Sequence, residues 1–287
     1  MKTSFYILFA LFSICYAVTA NEDEEDFGSG EIDEWSWEGP EENLINEDLQ
    51  ERISGGKNVS IHKYPFMASV LVNGTLKGGA SILNKKWLIT GAFPTSSAEH
   101  ESQLTVRVGS SSSYEGGQLC QVKKIVRHPK QRGYDNDVAL LRLERPLKFD
   151  PHHVRPIKIG AKPPRTNAKV LFTSFGWYKD NSTTKDSSQS NAMGVLKETH
   201  FKFLAFKDCA PYYLENLTFS KRCFCTQTTN ATSVEAKDFG SPLVYGKKVI
   251  GHFSGKPCGK PKPAVFVDIT KLKAWIYQTM RKYSSME

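Results

Sequence analysis

Short apolar runs of four to nine residues recur along the middle and end of the chain, with polar turns between them. They are Phe66 to Leu71, Trp87 to Thr90, Leu104 to Val108, Val138 to Leu143, Val170 to Phe175, Val244 to His252 and Ala264 to Val267. Runs of this length, rich in β-branched and aromatic residues and bounded by Gly, Pro, Asn and Ser, predict β-strands. A helical period is missing until Leu272, Trp275, Ile276 and Met280, whose spacing predicts a closing C-terminal helix. Many short strands over 235 residues predict an all-β domain, folded as one large barrel or as paired barrels.

The N-terminus follows different rules. Met1-Lys2 precedes an apolar stretch, Phe5 to Ala17, that ends in the small residues Val18-Thr19-Ala20. This predicts a secretory signal over residues 1–20, removed before Asn21 and too short for a membrane anchor. No other stretch approaches membrane-spanning length, so a soluble, secreted extracellular protein is expected. Residues 21–52 carry fourteen Asp and Glu against one basic residue, Arg52, a net charge of −13. A segment so charged and so poor in aliphatics cannot offset its ordering entropy, and a disordered, propeptide-like leader is expected there. Within it, Asp33-Glu34-Trp35-Ser36-Trp37-Glu38 holds two tryptophans. They read either as exposed aromatics of a tail or as a docking motif for a basic, partly apolar surface.

Residues 53–287 carry 36 Lys and Arg against 16 Asp and Glu, a net of +20. Clusters include Lys85-Lys86, Lys247-Lys248, and Lys256 with Lys260 and Lys262; the two expected to bind polyanions are Lys123, Lys124, Arg127, Lys130 and Arg132, and then Lys271, Lys273, Arg281 and Lys282. In an exported protein such a field attracts polyanions, heparin-like glycosaminoglycans or anionic surfaces before genomic DNA. The plainer alternative is a solvated surface that serves solubility. Export also changes the reading of the cysteines. Cys15 leaves with the signal, and the remaining five, Cys120, Cys209, Cys223, Cys225 and Cys258, leave at least one thiol over after any disulfides form. Cys223-Phe224-Cys225 is too short for a zinc knuckle, and no histidine pair lies nearby at ligand spacing, so neither metal nor cofactor is expected. Five sequons, at Asn58, Asn73, Asn181, Asn216 and Asn230, are candidate glycan sites.

Six landmarks in order then point to one family. They are Arg52-Ile53-Ser54-Gly55-Gly56; Lys77 to Ile82 followed by Trp87-Leu88-Ile89-Thr90-Gly91-Ala92; His128-Pro129 with Asp135-Asn136-Asp137-Val138-Ala139-Leu140-Leu141; Phe175-Gly176-Trp177; Lys237-Asp238-Phe239-Gly240-Ser241-Pro242-Leu243; and Pro263-Ala264-Val265-Phe266. Over 53–287 the chain resembles the chymotrypsin-fold, trypsin-like serine peptidases. The resemblance implies two packed six-stranded antiparallel β-barrels with a C-terminal helix.

It also implies which residues stand at the catalytic positions. Phe93 stands where the family has its histidine, Phe239 where it has the nucleophilic serine, and Asp137 where it has the aspartate. A phenyl ring has no lone pair and no transferable proton, so general-base and nucleophile roles are both missing. His100 and Ser241 are poor substitutes, the first in a polar loop and the second two residues past the nucleophile position. The resemblance further places Lys237 where the oxyanion loop needs glycine, and Ser233 at the position that sets primary specificity. Lys77, Pro94 and Glu235 replace expected cysteines, which leaves Cys258 an orphan, whereas Cys209 and Cys225 match a pair expected to bond. Arg52-Ile53 resembles the family's activation junction, and Asp238 matches the residue that receives the freed amino group.

These observations imply a catalytically inactive serine protease homologue. It is expected to bind polyanions or proteins of a protease cascade, and to be switched when an upstream trypsin-like protease cuts after Arg52. Two other classes remain: an endopeptidase with atypical residual activity, and a bulk secreted structural protein.

Overall fold

The computed structural model describes residues 56–176, 194–214, 218–227, 234, 238–255 and 262–284. The chain divides into two units, Met1–Ile32 and Asp33–Glu287, and every described residue belongs to the second. Both the signal over residues 1–20 and the leader over residues 21–52 lie outside the described residues.

Six strands close the first barrel: β2 (Met67–Val72), β3 (Thr75–Ile82), β4 (Trp87–Thr90), β5 (Leu104–Val108), β6 (Gln118–Arg127) and β7 (Ala139–Leu143). They pair antiparallel in the order β2-β3-β4-β7-β6-β5, with β5 returning to β2. Six more, β8 (Lys169–Ser174), β9 (Lys197–Leu204), β10 (Cys223–Thr226), β11 (Pro242–Tyr245), β12 (Lys248–Gly255) and β13 (Ala264–Asp268), run β8-β9-β10-β13-β12-β11, and β11 pairs back with β8. The paired barrels expected from the sequence are therefore present.

The two interiors differ in chemistry. Val70, Leu88, Val106 and Leu141 help fill the first. Phe172, Phe201, Phe203, Phe224, Phe253 and Phe266 fill much of the second. Phe172 and Phe266 meet edge to face, with centroids 5.7 Å apart at 86°, the geometry the ring quadrupole favours.

Tight turns need glycine or its nearest substitute. Asn73 and Gly74 join β2 to β3 with φ of 49° and 74°, a two-residue turn whose twist matches the strands it connects. Another such turn corrects the sequence reading of Val244 to His252 as one run. Gly246 and Lys247, at φ 55° and 61°, break it into β11 and β12.

Each end of the described chain is held by the opposite barrel. The short strand β1 (Lys57–Asn58) precedes the first barrel but pairs with β9 of the second. At the other end, α2 (Lys273–Ser284) follows the second barrel and lies against the first. Tyr283 faces Trp87 with centroids 6.4 Å apart, and Trp275 faces His128 at 4.7 Å. Ile276 and Met280 are buried in one cluster with Phe66, Trp87, Val138, Phe175 and Val267, the apolar seam between the barrels.

A polar knot crosses the same seam. Asp137, presented by Asn136 in a left-handed conformation (φ 52°), is buried. Its backbone oxygen lies 2.6 Å from Nε2 of buried His252 on β12, so that nitrogen carries the proton and donates. Nδ1 of the same ring is buried with no hydrogen-bond partner among the described residues, a setting that suits a bare nitrogen far better than a charged N–H. Burial holds His252 below the ordinary imidazole range, against the opposing pull of Asp137.

A histidine whose folded pKa is lowered contributes stability that is present above the unfolded value, near 6.5, and is lost as pH falls below it. His128 is lowered too, by burial and by Arg222 and Lys130, and adds in the same sense. Burial pushes the carboxyl of Asp137 the other way, so comparison with a variant is needed to isolate the imidazole. The melting temperature should fall from pH 7.5 to pH 5. His252→Gln, which retains an N–H donor but does not titrate, should melt lower at pH 7.5 and show a shallower slope. Equal slopes in the two proteins would refute this account.

Candidate functional site

The site is built from three loops, one after β4, one that carries Asp137 ahead of β7, and one at residues 238–241. The first follows β4. Pro94, at the start of the single 3-10 turn Phe93–Thr95, presets its backbone, and the hydroxyl of Thr95 donates to Ala92 O at 2.7 Å. Arg127 braces the turn from β6, donating to Thr95 Oγ1 at 2.9 Å and to Thr95 O at 2.6 Å. So held, the turn aims the N–H groups of Ala92 and Phe93 at Oδ1 of Asp137, 2.8 and 3.1 Å away. Ser254 on β12 donates to Oδ2 at 2.5 Å. Three donors thus satisfy a carboxylate that burial alone would make costly.

The third loop carries Asp238-Phe239-Gly240-Ser241. Gly240 has φ +76°, and a Cβ there would collide with Thr90 and Gly79. The backbone passes so close to β3 that Gly79 N–H donates to Phe239 O at 2.9 Å, and a Cβ on Gly78 would strike the same carbonyl. The Gly78-Gly79 pair is therefore the cradle of this turn.

Phe93 and Phe239 meet over this frame. Their ring centroids are 4.4 Å apart at 49°, and Phe239 stacks in turn on Phe253 of the second barrel, 5.4 Å away at 20°. Phe239 is half-buried, whereas Phe93 is 56% exposed. The resemblance assigned Phe93, Asp137 and Phe239 to one centre, and the structure brings these residues together. The pair of rings offers dispersion and apolar surface but no acid, base or nucleophile.

Asp238 is fully buried beside the centre and accepts a hydrogen bond from Ser174 Oγ at 2.5 Å. A Cβ on Gly176 would fall on its carboxylate. Ser241 is buried as well, its hydroxyl donating to Ser174 at 2.9 Å and so committed away from the Phe93–Phe239 pair. His100 is exposed, at the start of the turn Glu101–Gln103. Sequence reasoning missed His252, Ser254 and Ser174, all polar residues in apolar surroundings. A buried-polar signal of that kind could have flagged them as seam residues.

Several predicted residues lie outside the described ones: Arg52, Ile53, Ser233, Lys237, Cys258, Asn181, Asn216 and Asn230. Of the remaining sequons, Asn58 is exposed on β1 and Asn73 is exposed at its hairpin tip. Cys209 and Cys225 form the expected disulfide, linking β10 to the end of α1 (Phe206–Cys209). Cys120 and Cys223 are free, and burial pushes the Cys223 thiol up to about 12.

The two basic clusters become neighbours, because His128 at the end of β6 packs on Trp275 of α2. Lys123, Lys130, Arg132, Arg281 and Lys282 are exposed. Lys124 pairs with Glu101 at 3.2 Å, and Arg127 holds Thr95. Lys271 donates to Lys221 O at 2.6 Å. Among the described residues no group of His, Cys, Asp and Glu is placed to hold a metal ion, and no helix is long and apolar enough to cross a membrane.

Comparison with known proteins places this geometry. A family model described as Trypsin matches residues 53–276. Trypsin 5G1 of Aedes aegypti is 30% identical over 231 residues, covering 78% of this chain and 84% of that protein. Human kallikrein-5 is 28% identical over 256 residues, covering 86% and 82%. Two solved structures, the scabies mite inactivated protease paralogues S-D1 and S-I1, superpose with TM-scores of 0.68 and 0.66, each at 24% identity. The first match covers 80% of this chain and 97% of the mite chain, the second 79% and 99%. These two likenesses speak for the fold. With the family model spanning both barrels, the chain belongs to the trypsin family.

Proposed function

We propose that the protein is a secreted, non-catalytic serine protease homologue that acts by binding. Its ligands are extracellular polyanions or proteins of a protease cascade, and cleavage after Arg52 switches it. The contact of Phe93 with Phe239, ring centroids 4.4 Å apart, carries this reading. Acyl transfer needs a hydroxyl and an imidazole in that space, and two phenyl rings supply neither. Loss of either group alone costs about 10⁶ in turnover in a well-studied peptidase of this mechanism. Both mite structures that share the fold are called inactivated, which agrees with the proposal.

The basic face supports the binding half of the proposal. The contact of His128 with Trp275 joins the cluster on and after β6 to the cluster on α2. Their fields therefore add over one surface, and an extended polyanion can span both.

Three outcomes test the proposal. Across a panel of chromogenic peptides the cleaved protein should show no turnover above solvent, and an active-site titrant should label no site; stoichiometric labelling would make it an enzyme. On a heparin column the chain beginning at Ile53 should elute at clearly higher salt than the chain beginning at Asn21, and Lys123→Ala with Lys130→Ala and Lys271→Ala should move elution back. Finally, cleavage after Arg52 should raise the melting temperature by delivering the new amino group to buried Asp238, and Asp238→Asn should abolish the gain. Identical melting temperatures before and after cleavage would remove the switch.

A further inference from the structure

A groove of about 840 Å³ runs between the loop 160–168 and the β11–β12 hairpin, away from the Phe93–Phe239 pair. Pro163, Pro164 and Tyr245 give it apolar walls, and Tyr245 is 45% exposed. Lys162, Arg165 and Lys248 line it as well, and all three are exposed. Among the described residues no carboxylate pairs with any of these cations. Thr166, also on its wall, already donates to Asp208. Lys273, at the start of α2, adds a further charge close by, and burial together with the charge on Lys248 lowers its pKa. Like charges gathered around an apolar trough, with no carboxylate partner among the described residues, suit an anionic ligand with flat hydrophobic groups.

The chain carries such a ligand. Asp33-Glu34-Trp35-Ser36-Trp37-Glu38 sets two indoles among carboxylates, and Glu41, Glu42, Glu47 and Asp48 follow. Indoles stack on proline and tyrosine and attract cations to their faces. Nineteen residue steps from Trp37 to Gly56 reach up to roughly 60 Å when extended, more than the diameter of a domain this size.

We infer that the segment around Trp35 and Trp37 docks in this groove, its indoles against Pro163, Pro164 and Tyr245 and its carboxylates against Lys162, Arg165 and Lys248. The face around β6 is the weaker host, because there Lys124 and Arg127 already have partners and His128 covers Trp275. The consequence for polyanions rests on the proposed function: a docked segment lays negative charge beside Lys248 and Lys273, at one end of the basic face.

Zero-length carbodiimide cross-linking of the uncleaved chain, followed by peptide mapping, tests the docking. Expected are intramolecular links from carboxylates of residues 33–48 to Lys162 and Lys248, at least tenfold weaker in the Trp35→Ala, Trp37→Ala variant and in about 1 M salt. Links to Lys123, Lys130 or Lys221 in their place, links only between two copies, or no links would overturn it. The heparin column separates this from the broader proposal. Cross-links at the groove with no heparin affinity in either form would leave the docking standing and remove the polyanion reading. Heparin affinity unaltered by the leader, without cross-links, would do the reverse.

Discussion

A single buried carboxylate organises the meeting of the two barrels. Asp137 belongs to the first barrel by sequence, yet it draws on both. It takes N–H groups from Ala92 and Phe93 and a hydroxyl from Ser254, while its own carbonyl holds His252. Leaving such a group buried without donors would cost on the order of 1–3 kcal/mol or more, so the loops that supply them are as constrained as the carboxylate itself. The geometry around Phe93 follows from this knot. A residue at that position inherits a fixed backbone whatever its side chain.

The Phe239 turn shows the same separation between backbone and chemistry. Gly240 must be left-handed, and Gly78 and Gly79 must lack side chains, because three stretches of main chain crowd together there. None of these demands concerns the residue between Asp238 and Gly240. A phenylalanine can therefore enter without disturbing the frame, and its ring gains Phe253 and Phe93 as neighbours. Aromatic pairs of this kind contribute about 0.5–1.5 kcal/mol beyond area burial, so the two rings add cohesion where the loops meet.

Much of this was legible from the residues alone, and the reasons are specific. β4 and β5 were readable to the residue because both faces or alternating faces are buried, which gives a clean apolar run or a clean alternation. β6 was not, since Lys123, Lys124 and Arg127 interrupt its apolar positions on the solvent side. β3 was recognised only through the family resemblance, because Gly78 and Gly79 carry no hydrophobic signal. The Gly246-Lys247 turn was hidden between two short apolar stretches, Val244-Tyr245 and Val249-Ile250, that read as one run. At the site, Phe93, Asp137 and Phe239 could be found by alignment with motifs. For His252 and Ser254 the residues signalled at most burial, and the pairing with Asp137 was hidden because only three-dimensional closure brings β12 to it. The groove beside Tyr245 was invisible for the same reason: its two walls are about 80 residues apart in the chain.

The crossing of the two chain ends has a mechanical meaning. Strand β1 grips the second barrel and helix α2 grips the first, so the halves are fastened like a clasp with a tongue at each side. Neither barrel can swing free until one tongue is peeled away, and no disulfide among the described residues joins the halves. The fold therefore opens, when it opens, as one cooperative body. The Arg52-Ile53 sequence lies a few residues upstream of the first tongue, so a break in the chain there would leave both barrels whole.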